Sequence, residues 1–176
     1  MTESGQLKHS LVGVRCKNLL LQNKQGQHYL VVTTPDKSLD LGAVAETLGS
    51  KRLSFASAER LAIVLGIGPG SLSPLALVND TAGKVHLVID QHLSQEPVFL
   101  LHPLDRTATV ALAKPDLEAF LESVGHPATW RLLKARVTTS LNSASSSHQR
   151  ARLRHQSSAC KSDHSLAYRE GELLRS

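Results

Sequence analysis

The residues with the clearest capacity for chemistry lie in three short segments. The first is the loop of residues 66–74, in which three glycines allow positive φ and two prolines fix their own φ and remove donors. Such a loop is either a stiff connection between a helix and a strand or a rigid cradle that orients a small polar ligand with its main-chain groups. The second segment contains Lys17 and Asn18, and the third contains His102 and Pro103. Alone, a lysine beside a strand is usually solvated and a His-Pro pair is usually a turn.

The elements that must position these segments follow from apolar periodicity and turn residues. Strand-like patterns occur at residues 19–21, 29–32, 51–55, 75–78, 84–89, 98–102 and 108–112. Hairpins are predicted around residues 23–26 and around residues 80–83, the latter joining the strands at 75–78 and 84–89. The order of strands and helices predicts a mixed-sheet α/β or α+β domain with helices packed on the sheet.

Three helices are predicted, two of them between these strands and the third after the last strand. Asp40 or Ser38 caps the first, which ends near Gly49. Ser57 caps the second, which runs into the glycine-rich loop. Pro115 lies in the first turn of the third, which ends at Gly125.

Together, four motifs in order resemble the YbaK-like aminoacyl-tRNA deacylase family, in particular its free-standing prolyl-tRNA-synthetase-associated domain proteins. They are Lys17-Asn18, the Gly-x-x-x-Pro loop from Gly70 to Pro74, His102-Pro103-Leu104, and Pro115-Asp116-Leu117 leading to Gly125-His126-Pro127. The resemblance covers residues 17–130. Residues 1–16 match poorly, which implies a domain that is short at its N-terminal side, and Arg106 stands where relatives often have Asn.

The resemblance implies a role for each motif. Lys17 is expected to reach the phosphate or ribose of the terminal adenosine, assisted by Asn18. Backbone groups from Gly70 to Pro74 are expected to hold the ester and exclude a larger amino acid, with His102 lining the pocket. In this interpretation the catalytic residues are Lys17, Gly70, Pro74 and His102, and the substrate-binding residues are Asn18, Ser71, Leu72 and Ser73. The substrate's own 2′-hydroxyl is thought to take part in the reaction of this family.

Charge divides the chain into two parts. Residues 1–130 contain 11 Lys/Arg and 12 Asp/Glu, whereas residues 131–176 contain 9 Lys/Arg and 3 Asp/Glu. The second part is also rich in serine and poor in aromatic and β-branched residues. We therefore predict a basic tail over residues 131–176, disordered or marginally helical from about residue 134, that either contacts tRNA phosphates or is solvated without a dedicated role.

The sequence gives little support for a metal site, a serine nucleophile, a disulfide or a membrane-spanning segment. The histidines lack metal-ligand spacing, and no Gly-x-Ser-x-Gly elbow surrounds Ser71 or Ser73, so no metal or cofactor is expected. Cys16 and Cys160 are far apart and are expected to be reduced thiols. No apolar run approaches the roughly 18 residues of a membrane helix, so we expect a cytoplasmic protein with no membrane partner.

The resemblance implies a trans-editing hydrolase in which water attacks the ester of mischarged tRNA(Pro), with Ala-tRNA(Pro) as the favoured substrate. Cys-tRNA(Pro) deacylation is the nearest alternative within the enzyme interpretation. A different class also remains open, namely a truncated, non-catalytic module that binds tRNA or a synthetase. The expected partner is the acceptor end of tRNA(Pro), with prolyl-tRNA synthetase or an elongation factor as further candidates.

Overall fold

The computed structural model describes residues 11–137. The strands are β1 (Val14–Arg15), β2 (Lys17–Asn23), β3 (His28–Thr33), β4 (Leu53–Phe55), β5 (Val85–Asp90), β6 (Val98–Leu101), β7 (Val110–Ala113) and β8 (Thr129–Arg131). The α-helices are α1 (Leu41–Thr47), α2 (Ala58–Leu65) and α3 (Lys114–Ser123), and 3₁₀ helices occupy Pro74–Asn79 and Gln91–Leu93. None of the helices within residues 11–137 has the length and apolarity needed to cross a membrane.

The strands form two sheets, which confirms the predicted mixed α/β architecture. The larger sheet has the order β4-β2-β3-β5-β8, with antiparallel pairs at β2–β3 and β2–β4 and parallel pairs at β3–β5 and β5–β8. The smaller sheet has the order β1-β6-β7. Side chains on opposite faces of the larger sheet enter two different apolar clusters, one containing Leu30 and the other Val31. The central strand β3 is therefore buried on both faces.

Local signals fixed most helix ends as predicted. Asp40 caps α1 by accepting from the amides of Gly42 and Ala43, and Gly49 follows that helix with φ of 65°. Ser57 caps α2 by accepting from the amide of Arg60, and Gly66 ends the helix in the left-handed conformation. Because Gly66 is where the glycine-rich loop begins, α2 aims the chain directly into that loop.

The prediction of a strand at residues 75–78 is wrong. Pro74 opens a 3₁₀ helix there, and the Ser73 hydroxyl caps it by accepting from the Leu75 amide at 3.2 Å. A short apolar run is compatible with either a strand or a helix. Pro74 in the first turn and the Ser73 cap favour the 3₁₀ helix. The predicted hairpin to residues 84–89 is consequently wrong as well, because β5 pairs in parallel with β3 and β8.

The folded part extends into the predicted tail. Leu133 is buried, the Lys134 carbonyl accepts from the Asp40 amide at 3.0 Å, and the Arg136 amide donates to the Ser38 carbonyl at 2.7 Å. Residues 131–136 thus differ from the prediction, because a single buried leucine and backbone pairing secure a segment whose composition is polar and basic. The rest of the predicted tail, from residue 138, lies outside the described residues.

Candidate functional site

A cavity of about 390 Å³ lies between the start of β2, the end of β4 and the glycine-rich loop. Its volume falls within the range of about 300–1,000 Å³ that is typical of small-molecule sites. The lining residues are Cys16, Asn18, Leu19, Leu20, Phe55, Ala56, Leu61, Pro69, Gly70, Leu72 and His102. The cavity therefore brings together one residue or more from each of the three segments that the sequence singled out.

Asn18 attaches β2 to the loop. Its side-chain nitrogen donates to the Leu72 carbonyl at 2.9 Å, which fixes the orientation of the amide. The other end of the same amide, Oδ1, is buried and has no hydrogen-bond partner among the described residues. A buried acceptor left without a donor costs free energy of about 1–3 kcal/mol, so this oxygen is suited to a donor supplied by a ligand.

The loop itself is held rigid from within. Gly70 has φ of 88°, a left-handed conformation that favours glycine. The Ser71 amide donates to the Gly68 carbonyl at 3.3 Å, and Ser71, Ser73 and Pro74 are buried and do not line the cavity. The predicted substrate-binding serines thus support the loop. Within residues 11–137, the amides of Gly70 and Leu72 have no hydrogen-bond partner.

His102 follows β6 and is oriented by the segment that comes after it. Its Nδ1 lies 2.8 Å from the Ala108 carbonyl, and because a carbonyl only accepts, Nδ1 carries the proton. In the neutral ring, Nε2 is then an acceptor. Asp105 shapes this segment by accepting from both the amide and the hydroxyl of Thr107 at 2.8 Å, and these bonds, the backbone one first, lower the pKa of Asp105.

Lys17 is not among the residues that line the cavity. Its Nζ donates to the Lys37 carbonyl at 3.0 Å, and strand alternation places its side chain on the opposite face of β2 from Asn18. The predicted role of Lys17 at the tRNA end therefore remains a prediction. A second cation, Arg106, lies nearer the loop, with its Cδ 3.8 Å from the position that a Cβ on Gly70 would occupy.

Several lining residues were not predicted. Cys16, directly before β2, lines the cavity together with Asn18, and burial followed by the charge of Glu96 raises the pKa of its thiol to about 12. Phe55 ends β4 and remains 59% exposed. The exposure of this ring could not be predicted from the sequence, because the pattern of residues 51–55 is that of an ordinary half-buried strand.

Fold, loop and cavity define a small mixed-sheet domain with one cavity against its glycine-rich loop. The family model for the aminoacyl-tRNA editing domain matches residues 4–120. The chain belongs to the aminoacyl-tRNA editing domain family, which confirms the resemblance seen in the sequence. The matched range begins earlier and ends earlier than the predicted domain at residues 17–130, and the two ranges share residues 17–120.

Individual relatives agree with this assignment. The chain is 40% identical over 111 residues to the prolyl-tRNA editing protein ProX of Acetoanaerobium sticklandii, covering 62% of this chain and 68% of that protein. It is 35% identical over 118 residues to the prolyl-tRNA synthetase associated domain-containing protein 1 of Danio rerio, covering 66% of this chain and 64% of that protein. A crystal structure described as that of a candidate trans-editing enzyme for prolyl-tRNA synthetase shares the fold, with a TM-score of 0.57, 22% identity and coverage of 72% of this chain and 73% of that one.

Proposed function

We propose that this protein hydrolyses the aminoacyl ester of mischarged tRNA(Pro) and that Ala-tRNA(Pro) is its preferred substrate. The observation that carries the proposal is the hydrogen bond between Asn18 and Leu72, which places a rigid Gly-x-x-x-Pro loop over a cavity that also holds His102. The ProX relative, named a prolyl-tRNA editing protein, supports the choice of tRNA(Pro).

Ester hydrolysis needs a positioned water and donors for the oxygen that becomes negatively charged in the transition state. The free amides of Gly70 and Leu72 are suited to that oxygen, because main-chain donors in a rigid loop need no reorganisation. Nε2 of His102 accepts a hydrogen bond from the attacking water or from the 2′-hydroxyl of the terminal ribose. The unpartnered Oδ1 of Asn18 accepts from the ammonium group of the amino acid.

Selectivity in this proposal comes from exclusion. Gly70 presents its backbone to the cavity, and Pro69 and Pro74 stiffen the loop on both sides, so the wall cannot move away from a bulky side chain. Binding one more methylene group in an apolar pocket contributes only about 1–3 kcal/mol, so attraction alone separates similar side chains weakly. A side chain that clashes with a rigid wall is rejected more strongly, because the wall cannot relax around it.

A second candidate is a non-catalytic module that binds the tRNA acceptor end or prolyl-tRNA synthetase. The observation in its favour is Lys17, whose Nζ is engaged by the Lys37 carbonyl and does not line the cavity.

The test is hydrolysis of Ala-tRNA(Pro) and Cys-tRNA(Pro) by the purified protein, each compared with spontaneous hydrolysis. We expect faster turnover of the alanyl ester than of the cysteinyl ester. Binding of tRNA(Pro) without hydrolysis of either ester, by protein with verified folding, would select the binding module. Faster turnover of the cysteinyl ester would keep the enzyme class and overturn the alanine preference.

A further inference from the structure

Phe55 is the one aromatic side chain among residues 11–137 that is exposed as a large apolar group. It ends the edge strand β4, where its backbone pairs with Leu21, and 59% of it is accessible to solvent. The other Phe, Tyr and Trp rings in this part of the chain are buried or half-buried, for example Phe99 and Tyr29. An exposed phenyl ring at the rim of a cavity contributes little to the core and is available to a ligand.

The cavity is lined by both polar and apolar side chains. Asn18 and His102 supply hydrogen-bonding groups, whereas Phe55 and Leu61 supply apolar surface. The methyl group of alanine is too small to use both, and it has no π face. A ligand that uses both kinds of lining joins a polar ester to a flat aromatic group, which is the chemistry of an aminoacylated nucleoside.

The chain segment that carries Phe55 is basic. Lys51, Arg52 and Arg60 are exposed within five residues of Phe55, against one exposed carboxylate, Glu59. Cations interleaved with an exposed aromatic ring are typical of surfaces that bind single-stranded nucleic acid, where the cations follow the phosphates and the ring stacks on a base.

We propose that Phe55 is the stacking platform for the terminal adenine of the tRNA, so that the base lies on the phenyl ring while the ester enters the cavity that Asn18 and the loop line. The proposal rests on the proposed function and adds a base-binding subsite to it. Stacking on one base by an aromatic side chain contributes about 1–3 kcal/mol, which corresponds to roughly 5- to 150-fold in affinity.

The experiment compares two RNA hairpins that carry the acceptor stem. One ends in CCA, and the other is identical except that its last residue is an abasic ribose. We expect the wild-type protein to bind the CCA hairpin at least about fivefold more tightly than the abasic one. Phe55→Leu keeps the apolar volume but has no π face, so it should bind the two hairpins equally. Phe55→Trp should retain the preference.

Ile63→Ala is the matched control, because Ile63 is similarly exposed, at 65%, on α2 and does not line the cavity. This variant should retain the wild-type preference for the CCA hairpin. A wild-type protein that binds both hairpins equally, or a folded Phe55→Leu variant that keeps the preference, would overturn the proposal.

Kinetics separate the subsite from the proposed function. With Ala-tRNA(Pro), Phe55→Leu should raise KM by at least about fivefold and leave kcat nearly unchanged, since stacking is present in the ground state and the transition state alike. A base-dependent preference without hydrolysis by the wild type would support the subsite and refute the proposed function. Hydrolysis by the wild type without a base-dependent preference would support the proposed function and refute the subsite.

Discussion

Asn18 is the residue on which the candidate site depends most, because one side of its amide secures the loop and the other is unpartnered in the cavity wall. A leucine or alanine at this position would release the Leu72 carbonyl and remove the free acceptor together. The effect on activity should therefore exceed the effect on stability.

We predict that Asn18→Ala lowers kcat/KM for Ala-tRNA(Pro) by at least about tenfold, because an acceptor for a charged ammonium group contributes roughly 1.5–3 kcal/mol. The free energy of unfolding should fall by only about 0.5–1.5 kcal/mol. Asn79→Ala is the matched control, since Asn79 makes the same kind of bond, from its amide to the Leu65 carbonyl at 2.8 Å, outside the cavity. Denaturant unfolding and steady-state kinetics of both variants are the measurements. Equal losses of activity in the two variants would mean that Asn18 acts only through stability.

For Lys17, the family resemblance and the structure suggest different roles. The resemblance predicts a contact with the tRNA end, whereas in the structure the ammonium group donates to the Lys37 carbonyl. If its ammonium group leaves the Lys37 carbonyl to bind an anionic group of the tRNA end, Lys17→Ala should lower deacylation by at least about tenfold. Lys24→Ala, in the exposed turn between β2 and β3, is a control for the loss of one positive charge. Unchanged kinetics in Lys17→Ala would remove Lys17 from the site and leave it as a link between β2 and residue 37.

At the scale of elements, Asp90 joins the ends of β3 and β5 to the segment before α1. Its carboxylate is fully buried and accepts from Thr33 and Lys37 at 2.7 Å and from His92 at 2.9 Å. Burial opposes ionisation, but these hydrogen bonds outweigh it and lower the pKa of Asp90 from 3.8 to about 2.

The expected consequence is a loss of stability in acid. Because the folded-state pKa of Asp90 is depressed, its contribution is present above the unfolded-state pKa near 4 and is lost as the pH falls toward 2. The contribution amounts to roughly 2 kcal/mol by linkage. Urea unfolding between pH 2 and pH 6 measures it, and Asp90→Asn should show a shallower decline over this range than the wild type. Parallel pH profiles for the two proteins would show that Asp90 is not the group responsible.

Elements also show what the sequence could and could not predict. The caps at Asp40 and Ser57 and the hairpin of β2 and β3 follow from local signals, and the structure confirms them. The 3₁₀ helix at Pro74–Asn79 was missed because a short apolar run carries no period of its own. Motif resemblance identified Asn18, Gly70, Leu72 and His102, which do line one cavity. Phe55 was missed, because its exposure depends on which strand lies at the edge of the sheet, a property of the tertiary structure.

At the scale of the whole molecule, the question is where the folded domain ends. Leu133 is 1% exposed and belongs to the cluster on one face of the larger sheet, so it marks the folded part beyond β8. Residues 140–176 contain six Lys/Arg and three Asp/Glu, and their composition predicts little apolar burial.

A substitution at Leu133 and a deletion of residues 140–176 should have different effects on stability. Leu133→Ala should lower the free energy of unfolding by about 2–5 kcal/mol, as truncation of a buried leucine usually does. Deletion of residues 140–176 should leave the Tm nearly unchanged and should weaken RNA binding and its salt dependence, because it removes a net positive charge. Thermal unfolding and RNA binding at two salt concentrations check both statements. A large fall in Tm on deletion would show that these residues contribute to the fold.

In the proposed function, a rigid loop lets the cavity accept an alanyl ester and exclude a prolyl ester. The measurement is the ratio of kcat/KM for Ala-tRNA(Pro) to that for Pro-tRNA(Pro), corrected for spontaneous hydrolysis, in the wild type and in Pro74→Gly. We predict a ratio of at least about tenfold in the wild type. Because glycine loosens the loop where proline opens the 3₁₀ helix, the ratio should fall in Pro74→Gly before turnover of the alanyl ester is lost. Equal cleavage of both esters by the wild type, or cleavage of neither by protein with verified folding, would contradict the account.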